Sequence, residues 1–277
     1  MKSTNILLFY LFFIHPVFSQ PLKHDKPLAK DMVMVPMGSF EFKTDTSTQI
    51  RSVQAFWMSN EITNKEYREF TNYLSAHLND TIFWINYNSE TKTRIIEHTL
   101  NKDLIKNIID TLALANEYKG KVDKYNLYKN YFTDNKFDNY PVVGVSQLNA
   151  KYYCIWRTNK ENKEFLKKRG YYFNDYRLPV EEEWCYVKQQ WKDEVTKPKD
   201  EITEVKSGNK NKLGLYNMNA NVSEWTSSSG KQNGSKIIKG SSWKKELKDN
   251  ERMLLDENSS SGCIGFRIVR TCNYQSN

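Results

Sequence analysis

Residues 214–226 read Gly-Leu-Tyr-Asn-Met-Asn-Ala-Asn-Val-Ser-Glu-Trp-Thr, a run in which amides and one carboxylate stand among large apolar side chains. Hydrogen bonds from Asn217 and Glu224 could tie such a stretch into a loop. After it come short β-like pieces, at residues 236–240 and then at Gly265-Phe266-Arg267-Ile268-Val269-Arg270. Before it, residues 192–213 form a charged, lysine-rich loop. A helix is expected from Arg177-Leu178-Pro179, because proline near a first turn has no amide to leave unpaired. Glu181, Glu182 and Glu183 complement the positive end of that helix, and Trp184, Val187 and Trp191 supply its apolar face. Further back, Ser146 can cap a helix carrying Ala150, Tyr153 and Cys154, preceded by the extended Tyr140-Pro141-Val142-Val143-Gly144-Val145.

The N-terminal third has its own punctuation. Met32-Val33-Met34-Val35 and the stretch up to Phe42 form two short strands around Pro36-Met37-Gly38, a turn signal. Ala55-Phe56-Trp57-Met58-Ser59 is another strand. Thr63 and Glu66 make a capping box, and Tyr67, Phe70 and Leu74 fall on one buried helix face. Residues 95–118 are helical by composition, with Leu100, Leu104, Ile108 and Leu112 at four-residue steps. The whole of 79–136 reads as a helical insertion on the domain surface, ending in Tyr125, Tyr128, Tyr131 and Phe132. Helices among short irregular strands make a single α+β domain over residues 32–272, without internal repeats, followed by a tail at 273–277.

The first residues decide the expected compartment. Lys2, the apolar run Ile6-Leu7-Leu8-Phe9-Tyr10-Leu11-Phe12-Phe13-Ile14 and the small site at Ser19 have the layout of a secretory signal, residues 1–19, with a polar leader at 20–31. The run is about half the ~20 residues of a membrane helix, and no other segment is apolar enough to span. An exported, periplasmic or secreted chain follows, with nucleic acid excluded by compartment. The formal charge of +8 favours acidic partners, anionic glycans among them, or is simply a solvated basic surface. Four cysteines, Cys154, Cys185, Cys263 and Cys272, permit two disulfides in three connectivities. None forms a C-x-x-C pair, and His24, His77 and His98 lack ligand spacing.

Seven blocks in order resemble the formylglycine-generating-enzyme (sulfatase-modifying factor) family. They are the opening 32–42, which looks like that family's first hairpin; Asn60-Glu61-Ile62-Thr63-Asn64-Lys65-Glu66-Tyr67; Tyr140 to Ser146 with Ala150, Cys154 and Trp156; Arg177-Leu178-Pro179-Val180-Glu181-Glu182-Glu183-Trp184; the 214–226 stretch; Gly240-Ser241-Ser242-Trp243; and Gly265-Phe266-Arg267. The resemblance implies a variant of the C-type lectin fold. The family's enzymes hold copper(I) between two cysteines placed after the G-S-W block, since soft thiolates select that ion. Here Lys245 stands at the first of those positions and no cysteine appears before Cys263, so no copper and no such catalysis are expected.

The same resemblance implies a structural calcium site at Asn217, the carbonyls of Ala220 and Val222, and Glu224, oxygen ligands of a kind that suits calcium. The alternative is a loop tied only by hydrogen bonds from Asn217 and Glu224. Ala220 replaces a family glycine, which would strain the turn. By resemblance Cys154 pairs with Cys272, leaving Cys185 with Cys263. Residues 131–140 and Cys154-Ile155-Trp156-Arg157-Thr158 are most similar to the gliding-motility lipoproteins of Bacteroidetes, non-catalytic parts of the type IX secretion apparatus. A lipid-anchored member needs a cysteine at the cleavage point, and none stands there. Three functions remain open: a scaffold or assembly subunit of that machinery, a glycan- or cell-surface-binding module, and an oxidase acting through Cys263 or Cys272.

Overall fold

The computed structural model describes residues 32–44, 47–88, 91–169, 175–191, 200–231, 234–248 and 250–272. The signal, leader and tail expected above lie outside them. Two four-stranded sheets carry the domain. The first has the order β1–β4–β12–β7, from Met32–Val35, Phe56–Glu61, Arg267–Thr271 and Tyr176–Arg177, with every pair antiparallel. The second runs β10–β9–β8–β11, from Met253–Asp256, Ser235–Lys239, Ser223–Ser229 and Ile264–Gly265. Here β11 runs parallel to β8. Because β11 and β12 are separated only by Phe266, the chain passes from one sheet to the other there, and the amide of Ile62 donates to the Phe266 carbonyl at 2.9 Å.

β4 organises the core. All six of its residues are buried, so both faces of the strand are covered. Phe56 and Met58 point into one cluster with Trp184 and Val187 of α6 (Glu181–Gln190). Trp57 points into the other, with Tyr67 and Phe70 of α1 (Asn64–Ala76) and Tyr153 and Trp156 of α5 (Gln147–Arg169). α1 starts as expected: the Glu66 amide donates to the Thr63 hydroxyl at 3.2 Å and the Thr63 amide to the Glu66 carboxylate at 2.9 Å. Ser146 caps α5 through the Asn149 amide at 3.2 Å.

Three expectations are corrected. The opening strands do not form a hairpin with each other: β1 pairs with β4, and β2 (Gly38–Lys43) pairs with β3 (Thr48–Val53). α6 begins at Glu181 with Val180 as its cap residue, one residue beyond Pro179, and the Glu183 carboxylate accepts from the Val180 amide at 3.0 Å. The insertion is not wholly helical. Residues 81–88 and 93–100 are β5 and β6, an antiparallel hairpin, followed by the short α2 (Asn101–Leu104), α3 (Ala113–Asn116) and α4 (Val122–Tyr128). Its residues do not merely decorate the surface, because Leu104 and Ile108 enter the first core, and Leu114, Tyr128 and Tyr131 build a third with Trp243.

Candidate functional site

A polar cluster of the interior lies where β4 ends against the 200–222 loop. Glu61, the last residue of β4, is buried, and its two oxygens accept from the side-chain amides of Asn217 at 2.9 Å and Asn221 at 3.1 Å. The same amides also donate back into the loop, Asn217 to the Val205 carbonyl at 2.9 Å and Asn221 to that of Thr203 at 3.1 Å. The Asn221 side-chain oxygen takes the Thr203 amide at 2.9 Å, which orients the group. Both asparagines adopt positive φ, 54° and 67°, a conformation their short polar side chains tolerate. The strain expected at Ala220 therefore does not arise there. Burial raises the Glu61 carboxyl above its ordinary range, with Glu224 adding to the effect and Arg267 and the two amides opposing it.

Beside it, Glu224 on β8 meets Arg267 on β12. The guanidinium donates to both carboxylate oxygens at 2.6 Å, and the Trp184 indole donates to one of them at 2.7 Å. Arg267 also donates to the carbonyls of Ser59 at 3.1 Å and Tyr216 at 3.2 Å. A bulge in β12 aims it: the register slips between Arg267 and Val269, and the freed Ile268 amide finds the Ser59 hydroxyl at 3.0 Å. One side chain thus joins both sheets to the loop.

This geometry bears on calcium. The Glu224 carboxylate, the one anionic ligand of the expected set, already spends both oxygens on a guanidinium, and a dication there would face that positive charge at close range. Asn217 turns its N–H groups toward Glu61 and Val205. The donor set does not fit calcium as it stands: Asn217 is spent on Glu61 and the Val205 carbonyl, and Glu224 on Arg267 and Trp184. Among the described residues, no group of three His, Cys, Asp or Glu side chains is placed to hold a metal ion.

After Trp243 no copper centre is expected, for want of a cysteine pair. Trp243 stacks on Tyr118, with ring centroids 5.0 Å apart, and its indole donates to the Gly262 carbonyl at 3.2 Å. Lys244 pairs with Glu117 at 2.6 Å, and Lys245 is exposed. Cys263 lies half-buried nearby. Burial, helped by Glu117, pushes its thiol up to about 12, against the opposing pull of Lys244 and of hydrogen bonds from Ser261 and Ser242. A single protonated thiol beside an ammonium group does not fit copper(I), which needs thiolates.

The remaining cysteines are scattered over the cores. Cys154 and Cys272 share the first cluster, Cys185 packs on the second and Cys263 on the third. Cys154, Cys185 and Cys263 are free thiols, so neither expected bridge is formed. Residues given no role from sequence do much of the binding together. Arg252 grips the buried Glu181 through two bonds of 2.6 Å, with the Lys239 ammonium 3.6 Å away. The available signal was charge inside otherwise apolar strands, as at Glu61 and Lys239.

The family of sulfatase-modifying factor enzyme 1-like domains matches residues 17–189 and 185–272. No curated protein matches the sequence significantly. Among solved structures, "Crystal Structure of CarF" is 15% identical, covering 88% of this chain and 98% of its own, with a TM-score of 0.55. "Structure of PvdO from Pseudomonas aeruginosa" is 17% identical, covering 87% and 94%, with a TM-score of 0.54. Their likeness, with the domain match, identifies the fold as the formylglycine-generating-enzyme-like variant of the C-type lectin fold.

Proposed function

The chain belongs to the sulfatase-modifying factor enzyme 1-like domain family, and from that premise we propose that it is a non-catalytic structural or assembly subunit acting through protein–protein contacts. The observation that carries this reading is the segment after Trp243. Where the family's enzymes place a pair of copper thiolates, this chain has Lys244 paired to Glu117, an exposed Lys245, and then no cysteine before Cys263. The conspicuous family side chains are turned inward to hold sheets and helices together: Arg177 on Glu183, Trp184 and Arg267 on Glu224. Such residues stabilise a platform and leave recognition to its surface.

The finer reading is an exported subunit of a Bacteroidetes type IX secretion or gliding apparatus, at the periplasmic side of the outer membrane. It is supported by the similarity of residues 131–140 and 154–158 to that branch and by the secretory layout of residues 1–19. Among the described residues no helix is long and apolar enough to cross a membrane. A glycan-binding module is the second reading, favoured by the formal charge of +8. Affinity capture of the chain from its native envelope, read by mass spectrometry, tests the proposal. Recovery of secretion or gliding components is the expected result. A chain that emerges alone and binds acidic glycans on an array sinks it, as would copper-dependent oxidation of a cysteine peptide.

A further inference from the structure

The β5–β6 hairpin belongs to neither four-stranded sheet. Its inner face rests on α5: Ile82 is buried in the first core, and the Trp84 ring lies 5.9 Å from that of Tyr152. Its two edges are treated differently. On β5, the Asn159 side chain accepts from the Phe83 amide at 3.1 Å and donates to the Phe83 carbonyl at 3.0 Å, imitating one residue of a neighbouring strand. On β6, no strand among the described residues pairs with the outer edge. An open, apolar edge is a liability that proteins usually cover.

The outward face explains what would cover it. Ile85 stands opposite Ile96, and Phe83 opposite His98. Phe83, Ile85 and Ile96 are 51%, 53% and 69% exposed. Along β6 the outward positions read Arg94, Ile96, His98, with no carboxylate among them, and Glu97 is on the opposite face. We propose that the open edge of β6, with this face, is a docking strip for an extended segment of a protein partner in which acidic residues alternate with apolar ones. Main-chain bonds to the edge would supply affinity. Side chains of an added strand alternate between faces, so an acid–apolar–acid register would set carboxylates beside Arg94 and His98 and an apolar group beside Ile96.

A second copy is the poorer occupant. Antiparallel pairing of β6 with itself about Ile96 would oppose Arg94 to His98 without any carboxylate, between chains that each carry a formal +8. The other two-stranded hairpin, β2–β3, has an open edge too, but Ile50 is its one exposed large apolar residue, among threonine, glutamine, arginine and serine. The strip rests on the assembly-subunit reading and adds to it a surface and a partner chemistry.

The probe is a labelled peptide alternating glutamate and valine, titrated against the purified exported chain by fluorescence anisotropy, with a lysine–valine peptide beside it. Binding of the acidic peptide, weakened by salt and reduced about tenfold or more by Arg94→Glu and by Ile96→Lys but not by Ile50→Lys, is the expected result. All three positions are exposed, and matching circular dichroism confirms folding. Equal binding of the basic peptide, or indifference to both β6 variants, overturns the strip. So does self-association without peptide that Ile96→Lys abolishes, since that assigns the face to a second copy. Envelope capture separates the two claims: recovery of secretion components by wild type and Ile96→Lys alike keeps the subunit reading and overturns the strip. Mutation-sensitive peptide binding with no components recovered keeps the strip and sinks the subunit reading.

Discussion

A guanidinium with no exposed atom must be matched on every side, and Arg267 is, by both oxygens of Glu224 and by two carbonyls. Deleting one member of such a pair leaves a buried charge uncompensated, at a cost of roughly 3–5 kcal/mol. Glu224→Gln and Arg267→Met should each lower stability by about that amount in urea titrations, whereas the double replacement Glu224→Leu with Arg267→Met should recover much of it. The thiols make a second test at this scale. Burial raises Cys154 and Cys263 to about 12 and Cys185 to about 11. Their folded values lie above the unfolded ones, so their contribution is fully present below ~8.5 and is lost as pH climbs toward 11–12. The urea midpoint should stay level through neutral pH as far as these groups are concerned, then fall in alkali. Native labelling of Cys263 by iodoacetamide at pH 7.5 should be much slower than that of a free cysteine; equal rates would contradict the burial described.

At the scale of elements, the capping box fixes where α1 begins and so where Tyr67, Phe70 and Leu74 enter the core. Thr63→Ala should cost about 1 kcal/mol, measurable as a shift of the urea midpoint, with the fold intact by circular dichroism. Gly144 shows a different constraint. Its φ is 76°, and a Cβ there would meet the Asp110 carbonyl oxygen at 2.2 Å. Gly144→Ala should therefore destabilise more than the capping change, because both backbone strain and a backbone clash are introduced. The capped helix was legible because capping is local. The β5–β6 hairpin was not. Leu100, Leu104, Ile108 and Leu112 repeat every four residues, yet they belong to a strand end, a short helix and the turns after it. The β-branched residues Thr93, Ile95, Ile96 and Thr99 were the better signal, and it competes with helical spacing over so short a run.

For the whole molecule, two of the three cores lie on opposite faces of one fully buried strand, and the last strand of the chain lies beside it. Stability should then depend on this closure and not on a metal. Thermal unfolding in millimolar calcium and in chelator should give the same midpoint; a calcium-dependent rise would restore the calcium site to the 217–224 loop. Helices among short irregular strands were enough to read the α+β class, and the capping of α1 and α5 and the apolar faces of α1, α5 and α6 were legible because local pattern dictates them. The absence of a thiolate pair after Trp243 was also plain from composition and order alone. Only the tertiary structure decided that β1 pairs with β4 instead of β2, that Asn217 and Asn221 turn their amides to Glu61, and that Glu224 belongs to Arg267. It alone left one edge of the hairpin without a paired strand among the described residues while Asn159 closed the other. The side-chain partners among these lie from 43 to 160 residues apart in the chain, and their choice is made by burial: a charge or amide taken out of water accepts whichever partner the packing of distant elements brings within reach.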